Sequence, residues 1–378
     1  MAERAVARPR AARSGNPAPG VDELAVARGR LLRWYASSGR DLPWRRTSDP
    51  YAIWVSEVML QQTRVETVRR YYDRFLARFP TTHALAAATE DEVLTLWSGL
   101  GYYRRGRLLH QGVREVVARY GGQVPEAADA RLALPGIGRY TAGAIGSIAF
   151  DRAEPIVDGN VARVLCRLNA IATPLGRADT ERRLWHEAAR WVEGSRPGDL
   201  NQALMELGAT VCTPRAAACD RCPLQQLCGA NQLQQVDSLP TPRPKKAPRT
   251  VEWVAVLAFD ADGHLMLDRG RERLFGGLWN LPMAEGRGRA CAQRLLKQLH
   301  LDGTLRARAT ATVEHTLTHR HMRVQLWRLQ QATVDPGTDV KRVAPSDLST
   351  LGTSRLTRKL VSAGLLARPR DLHYPASL

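Results

Sequence analysis

No apolar run in this chain approaches the roughly 20 residues needed to cross a bilayer. The N-terminal residues also lack the apolar core of a signal peptide. A helical membrane span and a secretory route are not expected, and the protein is expected in the cytosol. Cysteine is scarce, with six in 378 residues, and a cytosolic chain keeps thiols reduced, which argues against a disulfide framework. No internal repeat of solenoid period is present. Acid is in short supply as well: 37 Asp and Glu stand against 55 Lys and Arg, a formal charge of +18 and a pI near 10.4. A polyanion is therefore the expected partner, nucleic acid before an anionic membrane.

What is present divides into parts. Residues 1–20, rich in Ala, Arg and Pro, read as a disordered basic tail. From residue 21 to 229 apolar residues recur at three- and four-residue spacing, the period of helices packed on a core. Residues 230–249 turn polar and rich in Pro and Lys, the composition of a linker. From 250 to 366 the period shortens to two, with a helix at Ala290 to Leu299. Val251 to Phe259 reads as a strand paired, across a turn at Asp260 to Gly263, with His264 to Asp268. A second pair is expected in Arg308 to Leu317 and Met322 to Leu329. Residues 367–378 form a tail. The expected architecture is a mainly α domain joined to a smaller α+β domain.

Within the helical part, Trp54-Val-Ser-Glu57-Val-Met59 sets one acid in an otherwise apolar face, where burial raises a carboxyl pKa. Asp49-Pro50 is a helix-start signal ahead of it. Thr63-Arg-Val-Glu66 reads as a capping box opening the next helix, which leaves Gln61-Gln62 as a polar corner. Cys212-x6-Cys219-x2-Cys222-x5-Cys228 gathers four thiols that suit an iron–sulfur cluster or a tetrahedral zinc equally well. Cys166 and Cys291 lie in apolar stretches and read as core. Leu134-Pro-Gly136-Ile-Gly138-Arg139 joins two helices through a turn whose free backbone N–H groups can hold a phosphate. The same turn also serves as a plain helix connection, and it lacks the third glycine of a dinucleotide fingerprint. Asp158 and Asn160, before the helix from Val161, read either as helix caps or as a second carboxylate with its positioning amide. Two carboxylates in different environments can divide proton donation from cation stabilisation, the pairing that cleavage of a sugar–heteroatom bond requires.

These motifs carry a resemblance. The cysteine spacing, the Leu134–Gly138 hairpin and Asp158 resemble the helix–hairpin–helix DNA glycosylases that hold an iron–sulfur cluster. Leu42-Pro-Trp44-Arg45, Trp54 to Thr63, Gly99-Leu-Gly-Tyr-Tyr103 and Pro155 to Asn160 narrow it to the adenine DNA glycosylase (MutY) family. The resemblance runs from about Val21 to about Leu365. It implies a helix–hairpin–helix glycosylase domain with a [4Fe-4S] cluster on Cys212, Cys219, Cys222 and Cys228, followed by a Nudix-like domain. It further implies a monomer acting on double-stranded DNA that carries adenine opposite 8-oxoguanine or guanine. By motif, Glu57 would protonate the flipped adenine and help activate water, and Asp158 would stabilise the sugar cation. Tyr140 and Asn160 would position these groups. Trp44, Arg45 and Gln202 would line the adenine pocket, and Gln62 and Tyr102 would push into the duplex.

The endonuclease III family shares the fold but carries a lysine where Tyr140 stands here. Tyrosine forms no Schiff base, so a monofunctional enzyme is expected rather than a glycosylase/lyase. In the second domain, Arg287 to Leu299 contains none of the glutamates with which a hydrolytic Nudix helix binds metal, so this domain reads as a binding module. Leu317-Thr318-His319 occupies the place of the family's Phe-Ser-His lesion-reading loop, with a leucine where the aromatic would be. A non-catalytic, metal-stapled DNA-binding protein is the remaining alternative, and the acid inside an apolar face argues against it.

Overall fold

The computed structural model describes residues 21–242, 248–269, 274–317 and 320–366. In chain order the first helices are α1 (Val21–Ser38), α2 (Pro50–Leu60), α3 (Val65–Arg78), α4 (Thr82–Ala87), α5 (Glu90–Trp97) and α6 (Arg104–Tyr120). They continue as α7 (Ala128–Leu132), α8 (Arg139–Phe150), α9 (Gly159–Leu168), α10 (Ala178–Val192), α11 (Pro197–Thr210) and α12 (Gly229–Gln232). There follow β1 (Arg249–Ala258), β2 (Leu265–Arg269), β3 (Trp279–Asn280), β4 (Met283–Glu285) and α13 (Gly288–Gln298). The last elements are β5 (Leu301–Leu305), β6 (Ala311–Thr316), β7 (Arg320–Val334), β8 (Val340–Val343) and α14 (Arg355–Leu366). Among the described residues, no helix is long and apolar enough to cross a membrane.

The chain divides into two compact units. One comprises residues up to Glu57 together with Val124–Pro244, and the other Val58–Gln123 together with the residues from Lys245 onward. The core of the first is a layer of helix faces. Leu24, Ala27 and Leu31 of α1 share one stripe and pack with Leu200, Leu204 and Leu207 of α11 and with Val161, Val164 and Leu165 of α9. Gly208 is what lets α11 lie against the start of α9, because a Cβ there would sit 2.7 Å from that of Asn160. The stretch read as a linker from residue 230 begins as packed structure. Leu239 is buried and its carbonyl accepts from Arg167, while the Thr241 hydroxyl donates to the carbonyl of Ala172.

In the second unit, β1 runs parallel to β7 over ten residues and antiparallel to β4, giving the order β4-β1-β7-β5 with β6 also on β7. Both faces of β1 are covered. Val251, Trp253, Ala255 and Leu257 meet Leu356, Leu360 and Val361 of α14, and Val254, Val256 and Ala258 meet Leu295 and Leu296 of α13. This corrects the expected β1–β2 hairpin. A strand buried on both sides takes a central place, here between the short β4 and the long β7, and β2 crosses instead to a second sheet of order β3-β2-β8. What remains of the expected pairing is the isolated bridge Phe259–Leu265 across the turn. The capping box is corrected too. Helix α3 starts one residue later than a Thr63 cap would place it, with Arg64 at the cap position and no side-chain capping bond. The Thr63 hydroxyl instead receives Nη2 of Arg105 at 3.0 Å.

Candidate active site

Pro50 opens α2, and the Asp49 carboxylate accepts the N–H of Tyr51 at 3.0 Å, so the start signal works as a cap. That start sets the phase of the helix, and Ile53, Trp54 and Val55 are buried along it with Glu57, which is 4% exposed. The hydroxyl of Tyr140, on the first turn of α8, donates to Oε2 of Glu57 at 2.7 Å and also lies 3.4 Å from Sδ of Met205. Burial pushes the Glu57 carboxyl up to about 7, against the Tyr140 hydrogen bond, with the nearby Asp158 carboxylate adding to the rise and Arg45 opposing it. An acid poised there holds a proton for part of the time at neutral pH and can deliver it to a substrate. Burial also pushes the Tyr140 phenol well above its ordinary range, so it acts as a donor and not as an anion.

Asp158 is the N-cap of α9. Its Oδ1 accepts the backbone N–H groups of Asn160 and Val161 at 2.9 and 2.7 Å, and Oδ2 accepts from the Asn160 amide at 3.1 Å. Capping and a catalytic anion are therefore compatible roles for one carboxylate. Burial raises its pKa, and the three hydrogen bonds counter that rise. Asn160 is held in turn by Nη2 of Arg163 at 2.8 Å.

Of the residues expected to line the adenine pocket, Trp44 is buried and Gln202 accepts the Tyr35 hydroxyl at 3.3 Å. Arg45 stacks over the Tyr35 ring at 5.3 Å and donates to Glu206 Oε2 at 2.8 Å. Sequence reasoning missed Glu206. It is fully buried, yet charge-assisted bonds from Arg40 and Arg45 outweigh that burial and hold its pKa low. Its signal resembles that of Glu57, an acid inside the apolar run Leu204-Met-Glu206-Leu207. Its permanent charge fixes the Arg45 guanidinium on the side of Glu57.

The α7–α8 turn places Gly136 and Gly138 at the surface. Gly136 has φ +79°, a conformation that needs glycine. Gly138 is the N-cap of α8 without a capping side chain, and nothing lies within 4 Å of the position its Cβ would take. Backbone donors there are open to a phosphate oxygen.

The four loop cysteines are free thiols and, with Arg167, line a cavity of about 20 Å³. Burial, together with the neighbouring sulfurs, pushes Cys222 up to about 12 and raises Cys219 and Cys228. Four thiolates can share this loop only with a cation among them, so the donor set fits a metal.

The remaining expected site residues belong to the second unit. Gln62, Tyr102 and Leu317 line one cleft of about 1110 Å³, with Phe275, His315, Arg320, Arg355 and Arg358. Gln62 and Tyr102 are exposed, with left-handed backbones at φ +57° and +47°. Leu317 closes the β6–β7 hairpin through its N–H to the Arg320 carbonyl at 2.8 Å. Thr318 and His319 lie outside the described residues. A second residue missed from sequence, Arg105, ties the cleft's turns together. Its guanidinium donates to the carbonyls of Val58, Met59, Leu100 and Gly101 and packs 5.4 Å from the centre of the Tyr102 ring.

Comparison with known proteins bears on this arrangement. A family model described as HhH-GPD superfamily base excision DNA repair protein matches residues 55–190, and a NUDIX domain model matches residues 254–363. The adenine DNA glycosylase of Homo sapiens is 51% identical over 228 residues, 58% of this chain and 42% of that protein. That of Arabidopsis thaliana is 43% identical over 293 residues, 67% of this chain and 46% of that protein. The chain thus spans less than half the length of these two relatives. The adenine DNA glycosylase of Buchnera aphidicola subsp. Baizongia pistaciae is 35% identical over 252 residues, 66% of this chain and 70% of that protein. Among solved structures, a thermostable thymine-DNA glycosylase is similar with a TM-score of 0.50 and 30% identity, over 56% of this chain and 97% of that one. With a buried acid held by Tyr140, a hairpin with open backbone donors and relatives of this kind, the chain belongs to the adenine DNA glycosylase family.

Proposed function

We propose that this protein removes adenine mispaired with 8-oxoguanine or guanine from double-stranded DNA, as a monomeric and monofunctional glycosylase. The observation that carries the reading is Glu57, buried, hydrogen-bonded by Tyr140 and poised near pH 7 beside a second carboxylate. Glu57 gives its proton to N7 of the flipped adenine. The C1′–N9 bond then breaks with its electron pair going to the base, and positive charge develops on the sugar. Asp158, ionised and held by Asn160, stabilises that charge. Water adds at C1′ as the Glu57 carboxylate takes its proton, which returns the acid to its starting form. Tyr140 stands where a Schiff-base lysine would be needed, so the strand stays intact.

The hairpin at Gly136–Gly138 holds a backbone phosphate, and the net charge of +18 supports a polyanionic partner. Extruding a base requires a wedge, and the exposed Gln62 and Tyr102 supply one, with the cleft of the second unit taking the purine that faced the adenine. Cys212, Cys219, Cys222 and Cys228 would hold a [4Fe-4S] cluster, and Arg215 and Arg221 of the same loop would offer their charge to the DNA backbone.

The test is base release from duplexes with adenine opposite 8-oxoguanine, guanine or thymine, each analysed with and without alkali. Adenine release opposite the first two with strand scission only after alkali is expected. Scission without alkali, or no adenine release, overturns the reading. A visible absorption band in fresh protein distinguishes an iron–sulfur cluster from zinc, whose filled d shell gives none.

A further inference from the structure

The hairpin loop at Leu317 brings a branched aliphatic chain to the cleft of the second unit, yet that cleft does not lack aromatic faces. Phe275 lines it together with Tyr102 and Gln62. Its ring is half-buried and lies 6.4 Å from that of His315, at 54° to it. Phe275 holds φ +58°, a conformation that a bulky side chain adopts only where its surroundings force it. Those surroundings are present. The Phe275 carbonyl accepts the N–H of Leu278 at 3.1 Å and the side-chain amide of the buried Asn280 at 3.4 Å. The ring packs on one side against the core of the second unit and on the other lines the cleft, so the strained backbone holds it between the two.

We propose that Phe275 is a base-stacking residue of this cleft, taking the face of the purine opposite the adenine in the role that an aromatic in the Leu317 loop would otherwise fill. The proposal rests on the function proposed above. Arginines in the cleft suit phosphates and Gln62 suits base edges, whereas the large apolar face of a purine needs a ring. Stacking is tolerant of base identity, so Phe275 contributes affinity for any purine at this place rather than a choice between 8-oxoguanine and guanine.

The test is the dissociation constant of the wild-type chain, Phe275→Ala and Phe275→Trp for two duplexes. One carries a tetrahydrofuran abasic analogue opposite 8-oxoguanine, and the other carries the analogue on both strands and offers no purine. Phe275→Ala is expected to weaken binding of the first duplex between about fivefold and about 150-fold, the range for removing one base–aromatic stack. Its binding of the second is expected to stay within about twofold, and Phe275→Trp is expected to retain affinity for both. Equal losses on the two duplexes would assign Phe275 a structural role and overturn the proposal, as would no loss on the first. Failure of the parent reading looks different: the wild-type chain itself then releases no adenine and binds the two duplexes alike, which overturns this proposal as well.

Discussion

Replacing Glu57 with glutamine should disable the protein and stabilise it, in a way that depends on pH. A carboxyl carried from its ordinary 4.5 up to about 7 loses about 3 kcal/mol of ionised-state stability, at about 1.4 kcal/mol for each tenfold in proton affinity. The sign follows from proton counting. Between pH 4.5 and about 7 the folded state holds a proton that the unfolded chain has released, so stability falls as pH rises through that window and stays low above it. The glutamine amide would be isosteric with the protonated acid, would still accept from Tyr140, and would not ionise. The stability of Glu57→Gln relative to wild type should therefore grow by up to about 3 kcal/mol between pH 5 and pH 8, whatever constant offset the amide introduces. For a unit of about 200 residues that corresponds to roughly 6 °C or more in the unfolding midpoint. Base release should meanwhile fall by about 10²–10⁴-fold, the worth of a positioned acid, while duplex binding is retained. The assays are thermal unfolding of both chains across pH 5–8 and single-turnover adenine release. A midpoint difference that does not change with pH would refute the placement of a strained, half-protonated acid at this site, even if activity were lost.

Tyr140→Phe removes a bond that favours the Glu57 carboxylate, so the alkaline limb of the single-turnover rate should move up by roughly one pH unit or more; a limb that stays in place or moves down contradicts the geometry. Asp158→Asn should do the reverse. It removes an anion that raises the Glu57 pKa, so the limb moves down, and base release should drop on the order of 10²–10³-fold. Its unfolding midpoint should stay within about 2 °C, since Asn caps α9 as well as Asp; a large fall in midpoint would mean that capping is the whole role. Cys222→Ser should abolish the visible absorption of the purified protein and lower its unfolding midpoint. A colourless wild-type protein containing zinc would disprove the cluster.

Much of this site was legible because its residues break a local pattern. An acid on the apolar face of Trp54 to Met59 can only be buried, and Glu57 is. Helices whose ends carry their own signals, such as α8 between Gly138 and Phe150, were also readable from period and turn residues. Non-local partners were not. The run Val251–Ala258 announces a buried strand, but its register with Met322–Leu329 arises only when α13 and α14 cover its two faces. Thr63 and Glu66 carry a capping pattern that fails because Arg105, distant in sequence, takes the threonine hydroxyl. Glu206 carries the same local signal as Glu57, but its charge and its role depend on Arg40 and Arg45, more than 150 positions earlier in the chain.

The cleft of the second unit shows where such unreadable partners matter most. Gln62, Tyr102 and Phe275 all project into it from left-handed backbones, and each such conformation costs about 1–3 kcal/mol. Gln62 and Tyr102 belong to turns that share one brace. Arg105 donates to carbonyls at the end of α2 and in the Leu100–Gly101 turn, and to Thr63, while its plane supports the Tyr102 ring. Charge-assisted hydrogen bonds are worth about 1.5–3 kcal/mol each, so this set exceeds the strain of the two residues it braces. Burial lowers the Arg105 pKa only to about 10, which leaves it fully charged at neutral pH. A lysine there would keep the charge but could reach only some of these acceptors from a single nitrogen. Arg105→Lys should therefore release the two turns, weakening binding to mispaired duplex by tenfold or more while base release from the bound complex slows less. If Arg105→Lys bound mispaired DNA as tightly as the wild type, the strained turns would be shown to hold themselves.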